Sequence, residues 1–289
     1  MTQYTVSSDQ AKQRLDVFIG NSLPSISRSY IQKLIDTNKI IVDGVHVKAG
    51  YKLKAGQLVS VNYDTTELEN IPDITLPILY EDNNCIVINK PVGVLAHARS
   101  AYSDEATVAS FLRKYVSDLS GERAGIVHRL DRATSGVMIC AKNSESLSWL
   151  QKQFSTRKVK KSYIALVVGH MQNDHALIDM PIERNPKAPA TFRVGANGKH
   201  AKTQYTVLKE NNKYSLLQLM PETGRTHQLR VHLSQLGHPI VGDVIYGGET
   251  APRLLLHALK LEITLPDRRR KTFDAPIPDE FKQIMEKYD

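Results

Sequence analysis

Apolar residues recur at helical spacing near the start of the chain and at strand spacing after it. Ile31, Leu34 and Ile35 predict a helix that Ser29 could cap. The sequence IIVDGVHV follows with the Asp-Gly dipeptide of a tight hairpin turn, and VSVNY then alternates apolar and polar residues as a half-buried strand does. Residues 13–63 are therefore expected to form helices followed by a small sheet.

Short strand-like runs dominate the rest of the chain. In order, they are CIVINK, GVMICAK, SYIALVVG, YTVL, YSLLQL and LLLHALKLEI. Helical patterns are expected at 144–154, 226–236 and 281–288, and Gly237 ends the second of them. This mixture predicts an α+β domain with a mainly antiparallel sheet and excludes a doubly wound nucleotide fold.

The segment DTTELENIPDITLP separates the two regions. It has no lysine or arginine, contains two prolines and shows no amphipathic period, so it predicts a linker. We therefore expect a small first domain over residues 1–65, a linker at 66–77 and a larger domain over 78–289.

Composition adds a basic charge and removes several classes of protein. The chain has 38 basic and 30 acidic residues, and its formal charge of +8 favours a polyanionic partner. No apolar run could span a bilayer and MTQYTVSSDQ lacks the features of a signal peptide, so a cytoplasmic protein without a membrane partner is expected. Cys85 and Cys140 lie in apolar runs and are expected to be buried. Because the spacings of metal ligands and of GxGxxG-type loops do not occur, neither a metal site nor a nucleotide cofactor is expected.

The densest group of polar residues lies in GIVHRLDRATSGVMICAK, between two strand-like runs. Asp131 stands there between Arg129 and Arg132, and nearby cations favour an ionised carboxylate that can act as nucleophile or base. The alternative is a turn in which Asp131, Thr134 and Ser135 satisfy backbone groups. From spacing alone, that alternative carries the greater weight.

Two further segments combine cations with positions where they could act. In PETGRTHQLRVHLSQLG, Thr226 could cap a helix and place Arg225 at its start, where a guanidinium can pair with a carboxylate or a phosphate. In RKVKKSYIALVVG, the basic run 157–161 leads into Tyr163, which suits a groove that holds phosphates and stacks a base. The alternatives are a surface arginine, and a solvated charge run followed by a core tyrosine.

Taken in order, these segments resemble the RluA-like pseudouridine synthases, the group that includes the large-subunit ribosomal RNA enzymes. The similarity rests on KPVG, GIVHRLDRATSG, KKSYIALVVG, PETGRTHQLRVHL and GDVIYG, and it extends from about residue 78 to residue 289. The first domain is similar to the S-four-type RNA-binding domain, a small α-L fold, through RLDVFI, SRSYIQKLI and IIVDG. The resemblance implies an enzyme that isomerises uridine to pseudouridine in structured RNA.

The resemblance also assigns roles to residues. It implies that Asp131 is the catalytic aspartate, that Arg225 is its ion-pair partner and that Tyr163 lies against the target base. Arg129 would fill the stack that the flipped nucleotide leaves. Further contacts with RNA are expected from Arg28, Lys33 and Lys160.

The implied substrate is large-subunit ribosomal RNA, and the enzyme is expected to act as a monomer without a cofactor or metal. Transfer RNA is an alternative substrate. A second alternative is a non-catalytic RNA-binding factor in ribosome assembly, which the basic charge would suit equally well. A hydrolase is disfavoured because glycoside hydrolysis usually needs a second carboxylate, and the Asp131 motif lacks one.

Overall fold

The computed structural model describes residues 2–23, 28–62, 73–97, 105–119 and 123–288. The chain divides into two compact units. The first comprises Met1–Ile74, His97–Ser110 and Ser120–Arg123, and the second comprises Thr75–Ala96, Phe111–Leu119 and Ala124–Asp289. The domain boundaries expected from the sequence stay predictions, and most of the expected linker lies outside the described residues. Within the described ranges, no helix is long and apolar enough to cross a membrane.

In its described residues, the first unit combines two helices with a three-stranded antiparallel sheet of order β1-β3-β2. The elements are β1 (Thr2–Thr5), α1 (Leu15–Ser22), α2 (Arg28–Asp36), β2 (Ile40–Val42) and β3 (Leu58–Val61). Ile31, Leu34 and Ile35 lie in the core of this unit, as their helical spacing predicts. The strand β1 precedes the helices and was not predicted.

Local features of the first unit confirm one expectation and correct two. Asp43 and Gly44 have φ values of 50° and 78°, which confirms the hairpin turn predicted from the Asp-Gly dipeptide. Helix α2 begins at Arg28, so Ser29 lies inside it and the predicted N-cap is wrong. The strand β3 is not half-buried, because it is the central strand and Ser60 is buried as well.

The second unit is built on one large mixed sheet and a separate hairpin. The strands of the whole unit are β4 (Ile78–Glu81), β5 (Cys85–Lys90), β6 (Ser135–Ala141), β7 (Lys160–Val168), β8 (His175–Asp179), β9 (Ile182–Arg184), β10 (Phe192–Val194), β11 (Lys202–Glu210), β12 (Tyr214–Pro221), β13 (Leu256–Thr264) and β14 (Arg270–Asp274). The helices are α3 (Val108–Leu112), which crosses the boundary between the units, α4 (Ser144–Ser155), α5 (Gln228–Gln235) and α6 (Asp279–Lys287).

The sheet has the order β4-β5-β6-β13-β7-β12-β11-β8, with β14 also paired to β13, while β9 and β10 form a separate hairpin. Every pairing between these described strands is antiparallel except the one between β6 and β13. The predicted α+β class with a mainly antiparallel mixed sheet is therefore confirmed, as are the three predicted helices. Cys85 and Cys140 are buried, as expected.

The parallel pairing places the start of β6 tightly against β13. Gly136 has a φ of 116°, and an added side-chain carbon would collide with the backbone of Ala258. Only glycine tolerates both the positive φ and this close approach. The loop that ends at Ser135 is consequently anchored where β6 begins.

Candidate active site

Asp131 lies in the loop before β6, and the buried side chain of Lys90 binds the backbone of this loop. The Lys90 ammonium donates to the carbonyls of Pro91, Val94 and Arg132, at 2.9, 2.8 and 3.4 Å. The Gly93 N–H also donates to the Arg132 carbonyl, at 2.8 Å. Burial lowers the pKa of Lys90 to about 7, and the negative charge of Asp131 opposes that shift. The KPVG turn therefore positions the loop, a role that its sequence alone did not indicate.

The residues expected to form the site surround one cavity of about 140 Å³. Asp131, Tyr163, Arg225 and Arg129 all line it. The Asp131 carboxylate is 21% exposed, so a ligand in the cavity can reach it. Burial and the charge of Asp131 both raise the pKa of Tyr163, which keeps its phenol protonated. The loop before β6, strand β7 and the segment before α5 thus bring together residues that are distant in sequence.

His227 is the group that faces Asp131 most directly. Its Nε2 atom lies 3.9 Å from Oδ2 of Asp131, and its backbone adopts a left-handed conformation with φ of 56° at the N-cap of α5. The Tyr246 hydroxyl accepts the Phe192 N–H at 3.0 Å and lies 2.7 Å from Nδ1 of His227. The Tyr246 hydroxyl therefore holds one ring nitrogen of His227, and the other ring nitrogen faces the carboxylate. Burial lowers the pKa of His227, and Asp131 opposes that shift.

The structure forms no ion pair between Arg225 and Asp131, and the role that the resemblance implies for Arg225 stays a prediction. Nε of Arg225 donates instead to the His200 carbonyl, at 3.0 Å. The backbone N–H of Arg225 donates to Oε1 of Gln228 at 3.0 Å, and this hydrogen bond fixes the turn before α5. His227 takes the left-handed conformation at the helix start with its ring near the carboxylate, while Arg225 lines the cavity wall. The N-cap of α5 is His227, not Thr226.

A buried ion pair supports the other side of the cavity. Arg230 donates to both carboxylate oxygens of Asp243, at 2.7 Å each. Its guanidinium also lies 4.9 Å from the centre of the Tyr246 ring. Desolvation acts to lower the pKa of Arg230, but the hydrogen bonds and charge of Asp243, together with the charge of Asp131, outweigh it and the pKa is raised. Arg230 is therefore a permanent cation that lines the Asp131 cavity, and the sequence analysis did not single it out.

The residues expected to contact RNA outside the cavity have different surroundings. The Lys160 side chain is 76% exposed and lies 3.6 Å from Glu262, outside the Asp131 cavity. Its neighbour Lys161 lines that cavity and was missed. Lys33 is exposed on α2, and the side chain of Arg28 lies outside the described residues.

The cavity combines a carboxylate with cationic and aromatic side chains. A carboxylate in such a position can attack carbon or remove a proton. The protonated phenol of Tyr163 provides an aromatic surface at the same wall.

Comparison with known proteins identifies the class. Residues 84–235 match the RNA pseudouridylate synthase family, and residues 13–59 match the S4 domain. An uncharacterized RNA pseudouridine synthase of Aquifex aeolicus is 40% identical over 256 residues, which are 85% of this chain and 81% of that protein. The ribosomal large subunit pseudouridine synthase D of Nitrosomonas europaea is 36% identical over 300 residues, 98% of this chain and 87% of that protein.

A solved structure agrees with this class. Human RNA pseudouridylate synthase domain containing 1 has a TM-score of 0.59 at 29% identity, over 73% of this chain and 95% of that chain. The chain belongs to the RNA pseudouridylate synthase family. It is an RNA pseudouridine synthase that carries an S4 domain near its amino terminus, which confirms the resemblance seen in the sequence.

Proposed function

We propose that this enzyme isomerises specific uridines of large-subunit ribosomal RNA, with Asp131 acting on a nucleotide that has left the helical stack. The observation that carries the proposal is the common cavity of Asp131, Tyr163, Arg225 and Arg129. The choice of ribosomal RNA is supported by the Nitrosomonas europaea relative, whose similarity covers 98% of this chain.

The reaction breaks the bond between N1 of uracil and C1′ of ribose, and forms a bond between C5 and C1′. The C5 hydrogen leaves as a proton and N1 gains a proton, so no electrons are gained or lost overall. A uridine within a stack must first be extruded, at a cost of a few kcal/mol. Asp131 acts by attacking the sugar or the base, or by removing a sugar proton.

The other residues bind and orient the nucleotide in this proposal. Tyr163 packs against the uracil ring, and the exposed Arg129 enters the space that the base leaves. His227 and Arg230 lie beside Asp131: Nε2 of His227 is 3.9 Å from its carboxylate, and the charge of Asp131 helps to raise the pKa of Arg230. Arg225 contacts the RNA at the cavity wall.

Replacement of Asp131 by asparagine tests the chemical role. Asp131→Asn keeps the size of the side chain and removes its charge, so pseudouridine formation should be abolished while RNA affinity is kept. The matched control is Asp274→Asn on β14, where an exposed carboxylate pairs with Lys260. Turnover is measured by the release of tritium from uracil labelled at C5. Full activity of Asp131→Asn would refute the mechanism.

Mapping of pseudouridines in cellular RNA, with and without the gene for this chain, tests the substrate. Sites lost only from large-subunit ribosomal RNA would support the proposal. Sites lost only from transfer RNA would assign the alternative substrate. Unchanged pseudouridines together with defective ribosome assembly would favour a role in RNA binding alone.

A further inference from the structure

A second cavity, of about 640 Å³, adjoins the cavity of Asp131. Both are lined by Arg129, Lys161, Tyr163 and the segment 223–225. The volume falls in the range of sites that hold a small organic ligand. The two cavities therefore lie side by side along the same residues. Two parts of one covalently linked ligand can occupy them together.

The walls of the second cavity carry a flat aromatic pair. His128 stacks on Phe154 with ring centres 4.4 Å apart and an angle of 20° between the planes. Nε2 of His128 accepts the Ile139 N–H at 3.1 Å, and burial lowers the pKa of His128 to about 3. The imidazole therefore stays neutral with its proton on Nδ1. A neutral aromatic surface with one N–H donor suits a nucleobase.

The same cavity carries an excess of positive charge. Its lining includes four permanently or potentially cationic side chains, Arg129, Arg157, Lys161 and Arg225, and one carboxylate, Glu222. Lys161 stands on the wall shared by both cavities, and its ammonium donates to the Thr223 carbonyl at 3.3 Å. Among the residues that the structure describes, no carboxylate pairs with Lys161. A desolvated ammonium in this position is stabilised by an anion between the two cavities.

We propose that the second cavity binds the nucleotide next to the target uridine, with its base on the His128–Phe154 pair and the linking phosphodiester at Lys161. This inference rests on the proposed function, because it takes the target uridine to occupy the Asp131 cavity. Burial lowers the pKa of Lys161 to about 8, and a bound phosphate would raise that pKa again because it stabilises the ammonium. The neighbouring nucleotide is thus held outside the helical stack together with its target.

The test measures equilibrium binding of an RNA hairpin whose loop contains a mapped target uridine. Full-length protein with Asp131→Asn is the common background, so that turnover does not alter the RNA. The phosphodiester on either side of the target is replaced, in separate RNAs, by a neutral methylphosphonate. In other RNAs, each neighbouring nucleotide is made abasic. These changes remove the phosphate charge or the base without altering the protein.

At one of the two linkages, the methylphosphonate should weaken binding by about tenfold or more. Lys161→Gln should weaken binding of the unmodified RNA to a similar extent, and the same methylphosphonate should then have no further effect. The abasic nucleotide on that side should weaken binding by roughly five- to a hundredfold. Lys282→Gln is the matched control, because Lys282 is exposed on α6, and it should leave binding unchanged.

The inference is overturned if the methylphosphonate weakens binding equally in protein with Lys161 and in the Lys161→Gln variant. It is also overturned if Lys282→Gln weakens binding as strongly as is expected of Lys161→Gln. It is also overturned if neither methylphosphonate nor either abasic RNA binds more weakly to protein with Lys161 intact, a comparison that needs no change at this site. Tritium release from the unmodified RNA is measured separately with the native chain. Its absence would refute the proposed function, whereas an absent coupling would refute only the second subsite.

Discussion

Replacing Asp243 by asparagine should destabilise the protein far more than the same replacement at Asp274. Both aspartates pair with a cation at 2.7 Å, but the Arg230–Asp243 side chains are 5% and 1% exposed, whereas Lys260 and Asp274 are 51% and 52% exposed. The two pairs have the same contact distance and differ strongly in burial. They also differ in the cation, because Arg230 donates to both carboxylate oxygens and Lys260 is a single ammonium.

The size of the destabilisation follows from the charge of Arg230, which Asp243→Asn leaves buried without its partner. Removing one partner of a buried pair costs about 3–5 kcal/mol, because the other charge stays desolvated without compensation. The introduced asparagine would still offer an oxygen to one of the two Arg230 donors, and Asp131 still faces that guanidinium, so the lower end, about 3 kcal/mol, applies. That corresponds to a fall of about 6–12 °C in Tm for a domain of this size. The exposed pair should contribute less than about 1 kcal/mol.

The assay can use the one tryptophan of the chain as a local probe. Trp149 lies on α4, where its indole N–H donates to the Thr264 carbonyl at 2.8 Å, so its fluorescence reports on the second unit. Urea unfolding gives the free energy of unfolding for each variant. Arg230→Met added to Asp243→Asn should recover part of the loss, because it removes the uncompensated charge. Equal costs for Asp243→Asn and Asp274→Asn would refute the reasoning.

Three further predictions follow from the described geometry. Gly136→Ala should unfold the protein or lower its Tm severely, because the added carbon would collide with the backbone of Ala258. Gly93→Ala is the control: its φ is positive but the space is open, so it should lower the free energy of unfolding by only about 1–2 kcal/mol. Similar melting curves for the two variants would contradict this reasoning. The pKa of His128 is about 3 in the folded protein against 6.5 for a free imidazole, so the unfolded chain binds the extra proton and stability should fall as pH drops from 6.5 toward 3. Urea midpoints at pH 7 and pH 5 should differ less for His128→Gln than for the native chain, and an identical difference would exclude His128 as a cause. Lys33→Gln on α2 should weaken RNA binding and reduce the slope of log affinity against log salt by about 1; an unchanged slope would place Lys33 away from phosphate.

The helices and strands near the site could be predicted because their signals are local. The apolar run CIVINK and the pattern over residues 144–154 coincide with β5 and α4. The first is a short run of apolar residues, and the second has helical spacing and is capped by Asn143. Asp131 could be found because it lies in the contiguous motif GIVHRLDRATSG, which carries the family resemblance. Spacing and charge alone favoured a turn residue at this position.

The side chains that surround Asp131 could not be predicted in the same way. Arg225 and His227 are two residues apart, and the resemblance implied the arginine as the ion-pair partner. In the structure, His227 has a left-handed backbone and its Nε2 lies 3.9 Å from Oδ2 of Asp131. A single positive φ of a non-glycine residue leaves no mark in a hydrophobic pattern.

Lys90, which is buried, and Lys161, which is partly buried, show the same division. Lys90 follows a strand and Lys161 lies in a basic run, so their sequence suggests a turn and a solvated surface. In the structure, Lys90 holds the Asp131 loop through backbone carbonyls, and Lys161 stands on a cavity wall. Burial of a charge depends on the packing of strands that are far apart along the chain.

The sequence by itself determined the class of fold, the family and the catalytic candidate Asp131, because periodicity and contiguous motifs are properties of neighbouring residues. Only the tertiary structure decided that His227 and Arg230 face this carboxylate and that a second, aromatic and cationic cavity lies beside it. These features arise where β6, β7 and the start of α5 meet. Distances and desolvation between such segments are set by packing, and packing determines which charges act on the reacting nucleotide.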